Sequence, residues 1–505
     1  MRSKKTVINI ISSLALQIVN IICSFIIPRL IIKSFGSNIN GLVTSITQFL
    51  AYITLMESGF GPVVKAVLYK PIANKDKNTI EGILKASEKF FRIISYVFIG
   101  YIVVLCVLLP NILSQEFNRL FVVSLVVIIS MSTFAEYFFG MTYKLYLQAE
   151  QKNYIISLIQ IISTIINAII IVILIYFGTN IHIVKLATAI IFIFRPIVQN
   201  IYIKKKYNID LKRVNNSYKI KQKWDGLAQH IASVIHSNAD VTILTIFTNT
   251  VEVSIYSVYY LVVAGVRAII QSFTSGIDAY FGDMIAKGEK KSLDTSFKIY
   301  EIFYFTIVTI VFTIILLMIL PFVSIYTSGI TDANYYRPAF AYMLVLSEFM
   351  WSIRLPYSTL ALSAGHFRET MKGAWIESIV NVVLSCVLVF EFGIVGVAIG
   401  TLVAMLIRTC EFVYHTSKYI LERSIWESVK KITVIVVEML IIVLIMNILP
   451  QITIMSYSTW ILQAIITAIV AILVTLGINT IMFKQDIKVI VKTIKRIISR
   501  KRVKQ

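Results

Sequence analysis

The chain has few charged residues, and acidic residues are the smaller part of them. Only 15% of its 505 residues are charged, with 26 Asp and Glu against 48 Lys and Arg, which gives a formal net charge of +22. Soluble globular domains carry about 25% charged residues. Hydrophobic residues make up 57% of the chain, and its mean hydropathy is +0.81. These values exclude a soluble enzyme and a disordered tail, and they predict a polytopic membrane protein.

Several chemical motifs are also missing. The four cysteines lie in apolar runs and form no C-x-x-C pair, which predicts small buried side chains rather than a disulfide framework or a zinc site: Cys23, Cys106, Cys386 and Cys410. The sequence contains no G-x-x-x-x-G-K-[ST] phosphate loop, no H-E-x-x-H zinc motif and no nucleophile elbow. We therefore expect neither an enzyme nor an ATPase, and we expect no cofactor and no metal.

Long apolar runs dominate what is present. A helix that crosses a bilayer needs about 20 apolar residues, and this criterion predicts about fourteen spans. They are 6–33, 39–68, 90–110, 118–147, 155–177, 182–203, 226–248, 252–283, 297–326, 335–364, 373–392, 394–417, 430–449 and 459–482. The first run is too long for a signal peptide and has no small-x-small cleavage site, so we interpret it as an uncleaved first span.

Basic residues are concentrated in every second loop. With a cytoplasmic N-terminus, the inner segments carry 37 Lys and Arg, and the outer side carries three. Because cytoplasmic loops are enriched in Lys and Arg, this predicts a multi-pass membrane protein with both termini in the cytoplasm. The same asymmetry explains most of the net charge without nucleic acid, which we do not expect as a partner.

The two halves of the chain resemble each other. Residues 71–92 and 284–305 share six identities at an offset of 213, and the same offset relates Arg195 to Arg408. This predicts two six-span repeats of the same orientation, an arrangement of transporters that alternate access between two lobes. The predicted domains are an N-terminal lobe (1–203), a basic cytoplasmic linker (204–225), a C-terminal lobe (226–417), and two accessory spans with a basic tail (418–505).

Charged residues inside spans are the candidate site. An ionised side chain within a bilayer is costly and usually faces a cavity or a partner. Arg267 and Arg354, near the middles of their spans, are predicted to bind substrate, with a structural ion pair as the alternative; Arg29 joins them, with snorkelling to the interface as its alternative. The acids predicted to pair with these arginines or to couple an ion are Glu57, Asp240, Asp278, Glu136 and Glu348. Arg195 and Arg408 form a repeat-related inner pair with either a structural or a substrate role.

The six-plus-six-plus-two plan resembles the multidrug/oligosaccharidyl-lipid/polysaccharide (MOP) exporter superfamily. Residues 29–68, with Arg29, FLAYITLMESGFG at 49–61 and Lys65, look like the opening of Wzx-type polysaccharide flippases, and YSVYYLVVAGVRAI at 256–269 is also similar. The resemblance covers about residues 6–420. It implies an all-α fold of two six-helix lobes with two accessory helices.

The resemblance also implies a function. Such flippases move an oligosaccharide linked to undecaprenyl pyrophosphate to the outer leaflet for capsule, O-antigen or exopolysaccharide assembly. Partners would be this substrate, membrane lipids, a polysaccharide polymerase and glycosyltransferases. The lipid II flippase branch, which has several early arginines, is a weaker match because only Arg29 lies within spans one and two. The alternatives are an ion-coupled multidrug or metabolite antiporter and a membrane polysaccharide polymerase.

Overall fold

The computed structural model describes residues 2–57, 59–209, 211, 227–272, 274, 277–450 and 452–484. Over these ranges the chain is almost entirely helical. The helices of the first half are α1 (Arg2–Phe35), α2 (Ser37–Ala51), α3 (Thr54–Glu57), α4 (Phe60–Asn74), α5 (Lys77–Ile112), α6 (Arg119–Ala135), α7 (Met141–Ala149), α8 (Asn153–Tyr176) and α9 (Ile181–Tyr207). Those of the second half are α10 (Leu227–Phe247), α11 (Thr250–Ser272), α12 (Ile277–Ala286), α13 (Lys290–Tyr326), α14 (Pro338–Ser363), α15 (Phe367–Phe392), α16 (Ile394–Tyr419), α17 (Ile425–Ile448) and α18 (Tyr457–Met482).

Each of the fourteen predicted spans coincides with helix. Within lipid every backbone N–H and C=O must be bonded internally, which a helix achieves within one segment. Twelve helical stretches are long and apolar enough to cross a membrane. The predicted spans 226–248 and 335–364 are the helices α10 and α14, which are not among these twelve. The predicted all-α polytopic fold is confirmed, and the protein is a multi-pass membrane protein.

The prediction that all four cysteines are buried is wrong. Only Cys23 is buried; Cys106 and Cys386 are half-buried, and Cys410 is exposed. An apolar run does not distinguish a core position from one that faces hydrocarbon, because both environments favour small hydrophobic side chains.

Two compact units make up the chain. Unit 1 comprises residues 1–257 and 330–333, and unit 2 comprises residues 258–329 and 334–505. In unit 1, α2, α4 and α5 enclose a core in which Leu42, Ile83 and Phe98 are fully buried. In unit 2, α14, α15 and α16 pack closely, and the accessory helices α17 and α18 pack on α13.

The second span is broken twice. Helix α2 ends at Ala51, the single turn α3 follows, and α4 begins at Phe60 after Gly59, whose φ is 79°. Because a positive φ is easily reached only without a side chain, Gly59 permits the break that follows Glu57. A π-helical segment, Glu136–Gly140, lies between α6 and α7. Interrupted membrane helices and π-helical turns are both frequent at binding sites.

Close helix packing makes Gly396 intolerant of a side chain. A Cβ at Gly396 would lie 2.2 Å from the carbonyl oxygen of Leu388 on α15, whereas a Cβ at Gly477 on α18 would meet nothing within 4 Å. We expect Gly396→Ala to lower the stability by about 1–3 kcal/mol through overpacking, while the control Gly477→Ala leaves it unchanged or slightly higher. Thermal unfolding of both variants in detergent tests this, and equal Tm values would contradict it.

Candidate functional site

Unit 1 contains a cavity of about 530 Å³ within the membrane helices, lined by apolar, hydroxyl-bearing and charged side chains. The broken second span, the end of α6, the π-helical segment, α7 and α9 form its wall. Its charged lining residues are Glu57, Glu136, Lys144, Lys185 and Arg195. Two acids against three bases give a formal charge of +1. The cavity therefore offers both signs of charge, with one cation in excess.

Two of the three basic lining residues lie on α9. Lys185 is half-buried, and its ammonium has no hydrogen-bond or ion-pair partner among the described residues. Arg195 donates from Nε to Ser163 Oγ (2.6 Å) and from Nη2 to Thr164 Oγ1 (2.8 Å), and its Cζ lies 3.7 Å from the centroid of Phe192. Both of these acceptors are neutral, so Arg195 forms no ion pair among the described residues, although the Glu136 carboxylate acts on its charge at longer range. Lys185 and Arg195 together present two cations to the cavity.

The two acids of the cavity lie on its interrupted helices. Glu57, at the end of α3, accepts a hydrogen bond of 3.0 Å from the hydroxyl of Tyr137 in the π-helical segment. Glu136 begins that segment and accepts 2.7 Å from Lys144 Nζ. Glu136 thus forms an ion pair with Lys144, whereas the hydrogen-bond donor to Glu57 is a neutral hydroxyl.

The predicted arginines of the second half lie in ion pairs. Arg267 Nη1 is 3.4 Å from Glu348 Oε1, and its Cζ lies 4.0 Å from the ring centroid of Trp351. Arg354 Nη1 is 2.5 Å from Glu377 Oε1. Each arginine therefore has a carboxylate partner within unit 2, and its substrate role stays a prediction.

A continuous network extends from Glu377. Its second carboxylate oxygen is 3.6 Å from Arg408 Nε, and Arg408 Nη1 is 2.5 Å from Glu411 Oε2. Arg408 also donates to the backbone carbonyl of Thr370 at 2.7 Å and has only 3% of its surface exposed. The repeat mates therefore differ in their surroundings: Arg195 faces an open cavity, and Arg408 is locked between carboxylates.

Three further predicted residues are not brought to the cavity wall. Arg29 is half-buried on α1 and has interactions there. Asp240 on α10 is buried and accepts a hydrogen bond of 3.0 Å from Tyr256. Asp278 is exposed at the start of α12.

Lys185 was missed because it lies near a predicted span end, where a lysine can snorkel to the interface. A signal for it exists in the sequence. Lys185, Thr188, Phe192 and Arg195 follow one another at spacings of three or four, which aligns them on one face of a helix. A polar stripe of this kind through an apolar span indicates a cavity rather than lipid.

Comparisons with known proteins identify the fold. No family model matches the sequence, and no curated protein matches it. Among solved structures, the chain is similar to a lipid II flippase, MurJ, in an inward closed conformation, with a TM-score of 0.66, 15% identity, and coverage of 95% of this chain and 100% of that one.

Multidrug transporters share this architecture. An inward-facing multidrug resistance MATE family transporter of the MOP superfamily matches with a TM-score of 0.61 and 12% identity over 82% of this chain and 96% of that one. An outward-facing MATE family transporter matches with a TM-score of 0.51 and 14% identity over 84% and 96%. At these identities the matches establish the fold of the MOP superfamily, which the sequence predicted.

Proposed function

We propose that this protein is a transporter of the MOP type that flips an anionic lipid-linked oligosaccharide across the bacterial cytoplasmic membrane by alternating access. The observation that carries the proposal is the pair Lys185 and Arg195, two cations that line a cavity within membrane helices and form no ion pair among the described residues. The likeness in fold to a lipid II flippase supports the same class of cargo.

A pyrophosphate would compensate the charge of both cations. An ammonium without a partner inside a membrane is unfavourable, and an anion that binds it removes this cost. Arg195 retains N–H groups beyond the two it donates to Ser163 and Thr164, and a guanidinium can donate two parallel bonds to a phosphate. The phosphates would occupy the α9 side of the cavity, with the sugars towards its hydroxyl-bearing wall and the lipid tail in the bilayer.

Glu57 is the proposed coupling group. It ends a single helical turn between two breaks in the second span, so its carboxylate can move with little loss of backbone hydrogen bonding. Its hydrogen bond from Tyr137 links this turn to the π-helical segment. Protonation of Glu57, or binding of a cation there, would alter this link when the cargo's negative charge enters or leaves.

The cellular context follows from the same proposal. We place both termini in the cytoplasm and propose a role in capsule, O-antigen or exopolysaccharide assembly, where glycosyltransferases supply the cargo and a polymerase consumes it. Substrate binding by Arg267, Arg354 and Arg29, and ion coupling by Asp240, Asp278, Glu136 or Glu348, stay predictions.

An ion-coupled multidrug antiporter is the second candidate. Two carboxylates, Glu57 and Glu136, lie on the cavity wall, and acids are the groups that attract cationic drugs. However, Lys144 lies 2.7 Å from Glu136, and Lys185 and Arg195 would repel a cation entering the same space. The charge balance of the cavity therefore favours anionic cargo.

The proposal predicts a strong effect of the two cations on transport. Each charge-assisted hydrogen bond to phosphate contributes about 1.5–3 kcal/mol, so Lys185→Gln and Arg195→Gln should each lower flipping about 10- to 100-fold. The measurement is flipping of undecaprenyl-pyrophosphate-linked oligosaccharide in proteoliposomes. Lys89→Gln, an exposed residue of α5 with the same change of charge, is the matched control.

Two results would contradict the proposal that this protein is a flippase. One is wild-type flipping by the Lys185→Gln/Arg195→Gln double variant. The other is proton-driven export of a cationic dye that Glu57→Gln abolishes and the double variant retains, which would identify the antiporter instead.

A further inference from the structure

A second charged recess lies in unit 1, between α5, the π-helical segment with α7, and the end of α9. It has a volume of about 330 Å³ and is separate from the transport cavity in its lining residues. Its basic residues are Lys85, Arg92 and Lys204, and its acid is Glu88. The recess therefore carries a formal charge of +2. It lies towards the start of α5 and at the end of α9, next to basic stretches of the sequence.

The repeat explains why this recess is open. At the repeat offset, Lys85 and Glu88 correspond to Lys298 and Glu301. In the second half, these two residues bind partners from α17 and the turn before it: Lys298 lies 3.5 Å from Glu427, and Glu301 binds Arg423 and Lys431.

Among the described residues of the first half, the same two positions form ion pairs only within their own helix. Lys85 Nζ is 3.2 Å from Glu88 Oε2, and Arg92 Nη2 is 2.8 Å from Glu88 Oε1. Helix α5 packs on α4, α6 and α7, whereas its counterpart α13 packs on α12 and α14 and additionally on α17 and α18. In the described part of unit 1, the recess lies at the position that corresponds to the one occupied by the accessory helices in unit 2.

We propose that this recess binds the phosphate of an anionic lipid headgroup. Three cations surround one carboxylate that can neutralise only one of them, and Lys204 has no ion-pair partner in the described part of the chain. Basic pockets between membrane helices at the cytoplasmic interface suit such headgroups. The rings of Phe138 and Phe139 offer apolar contact to the upper acyl chain.

The headgroup would also find a hydrogen-bond acceptor. Asn200 lines the recess, and its amide oxygen is buried without a hydrogen-bond partner among the described residues. A buried acceptor of this kind is unfavourable unless a donor reaches it. The glycerol hydroxyl of phosphatidylglycerol supplies such a donor, whereas a choline headgroup has none, so the recess discriminates between these two lipids.

The recess adjoins the transport cavity through a shared wall. In the π-helical segment, Glu136 and Tyr137 line the cavity, while Phe138 and Phe139 line the recess. Arg92 Cζ lies 5.3 Å from the ring centroid of Phe138. A headgroup that draws Arg92 towards itself therefore acts on the segment that holds Glu57 through Tyr137. The binding site itself is independent of which cargo the cavity carries.

The test measures lipid binding by the full chain in detergent with native mass spectrometry. We expect phosphatidylglycerol to bind more tightly than phosphatidylcholine, with about a fivefold loss of affinity for each cation removed in Lys204→Gln and Arg92→Gln. Glu88→Gln should have the opposite effect and strengthen binding, because it removes the competing carboxylate. Lys89→Gln, on the exposed side of α5, should bind phosphatidylglycerol like the wild type.

Lys204→Gln keeps the proposal testable if a change at Arg92 impairs folding, since no described ion pair depends on Lys204. Equal affinity of Lys204→Gln, Lys89→Gln and the wild type would overturn the proposal, as would equal binding of the two lipids by the wild type. Inorganic phosphate serves as the competitor. Displacement of phosphatidylglycerol by inorganic phosphate would assign the recess to free phosphate and overturn the lipid assignment.

Discussion

Replacement of Glu301 by Gln is expected to cause the largest loss of stability of any single substitution considered for this chain. The Glu301 side chain is fully buried and compensates two cations at once. Arg423 Nη2 lies 2.8 and 3.1 Å from its two carboxylate oxygens, and Lys431 Nζ lies 2.5 Å from Oε2. The hydroxyl of Tyr357 donates to the same group. Glutamine keeps the shape and removes the charge.

The two cations would then be left buried without an acid. Arg423, in the turn before α17, is 5% exposed, and Lys431 on α17 is 7% exposed. Burial lowers the pKa of Arg423, but the adjacent Glu301 carboxylate outweighs this and raises it overall, so the guanidinium stays charged. Removal of one partner from a buried ion pair costs about 3–5 kcal/mol.

Thermal unfolding in detergent measures this effect, and Glu427→Gln provides the control. Glu427 also pairs with α13, through Lys298 at 3.5 Å, but its side chain is 44% exposed, and exposed pairs contribute at most about 1 kcal/mol. We expect a marked fall in Tm for Glu301→Gln only, together with faster proteolysis in the turn between α16 and α17. Equal Tm values for the two variants would contradict a structural role of the buried cluster.

The fold could be predicted from the sequence because its causes are local. A run of about 20 apolar residues specifies a membrane helix without reference to any other part of the chain, and all fourteen predicted spans are helical. The break after Glu57 was equally local, because it depends on Gly59. The orientation of the spans rests on loop charges, and it remains a prediction.

The charge pairing could not be predicted because it depends on neighbours that are distant in sequence. Arg423 and Glu301 are 122 residues apart, and Arg354 and Glu377 are 23 apart. A span reveals that it contains an arginine, but not which neighbouring helix supplies a carboxylate. The sequence singled out Arg267 and Arg354 but not their carboxylate partners, and it did not single out Lys185, which lines a cavity. Repeat symmetry did not resolve this, since the repeat-related Arg195 and Arg408 have different partners.

The role of Arg267 can be decided by removing the whole pair rather than one partner. Arg267→Leu alone should lower stability by about 3 kcal/mol, because it leaves Glu348 buried without its cation. Loss of transport in that variant would not distinguish binding from folding. The double variant Arg267→Leu/Glu348→Leu leaves no uncompensated charge from this pair, and replacement of a buried pair by apolar residues of similar volume is often neutral or stabilising.

We expect the double variant to recover both the Tm and the flipping of lipid-linked oligosaccharide in proteoliposomes. The reason is that the proposed cargo-binding cations are Lys185 and Arg195, which line the cavity and form no described ion pair. A double variant with the wild-type Tm and no flipping would instead assign substrate binding to Arg267, as its place in the sequence predicts. The comparison works because Tm reports on the ion pair and flipping reports on the cargo. A residue that only stabilises the fold cannot lose the second and keep the first.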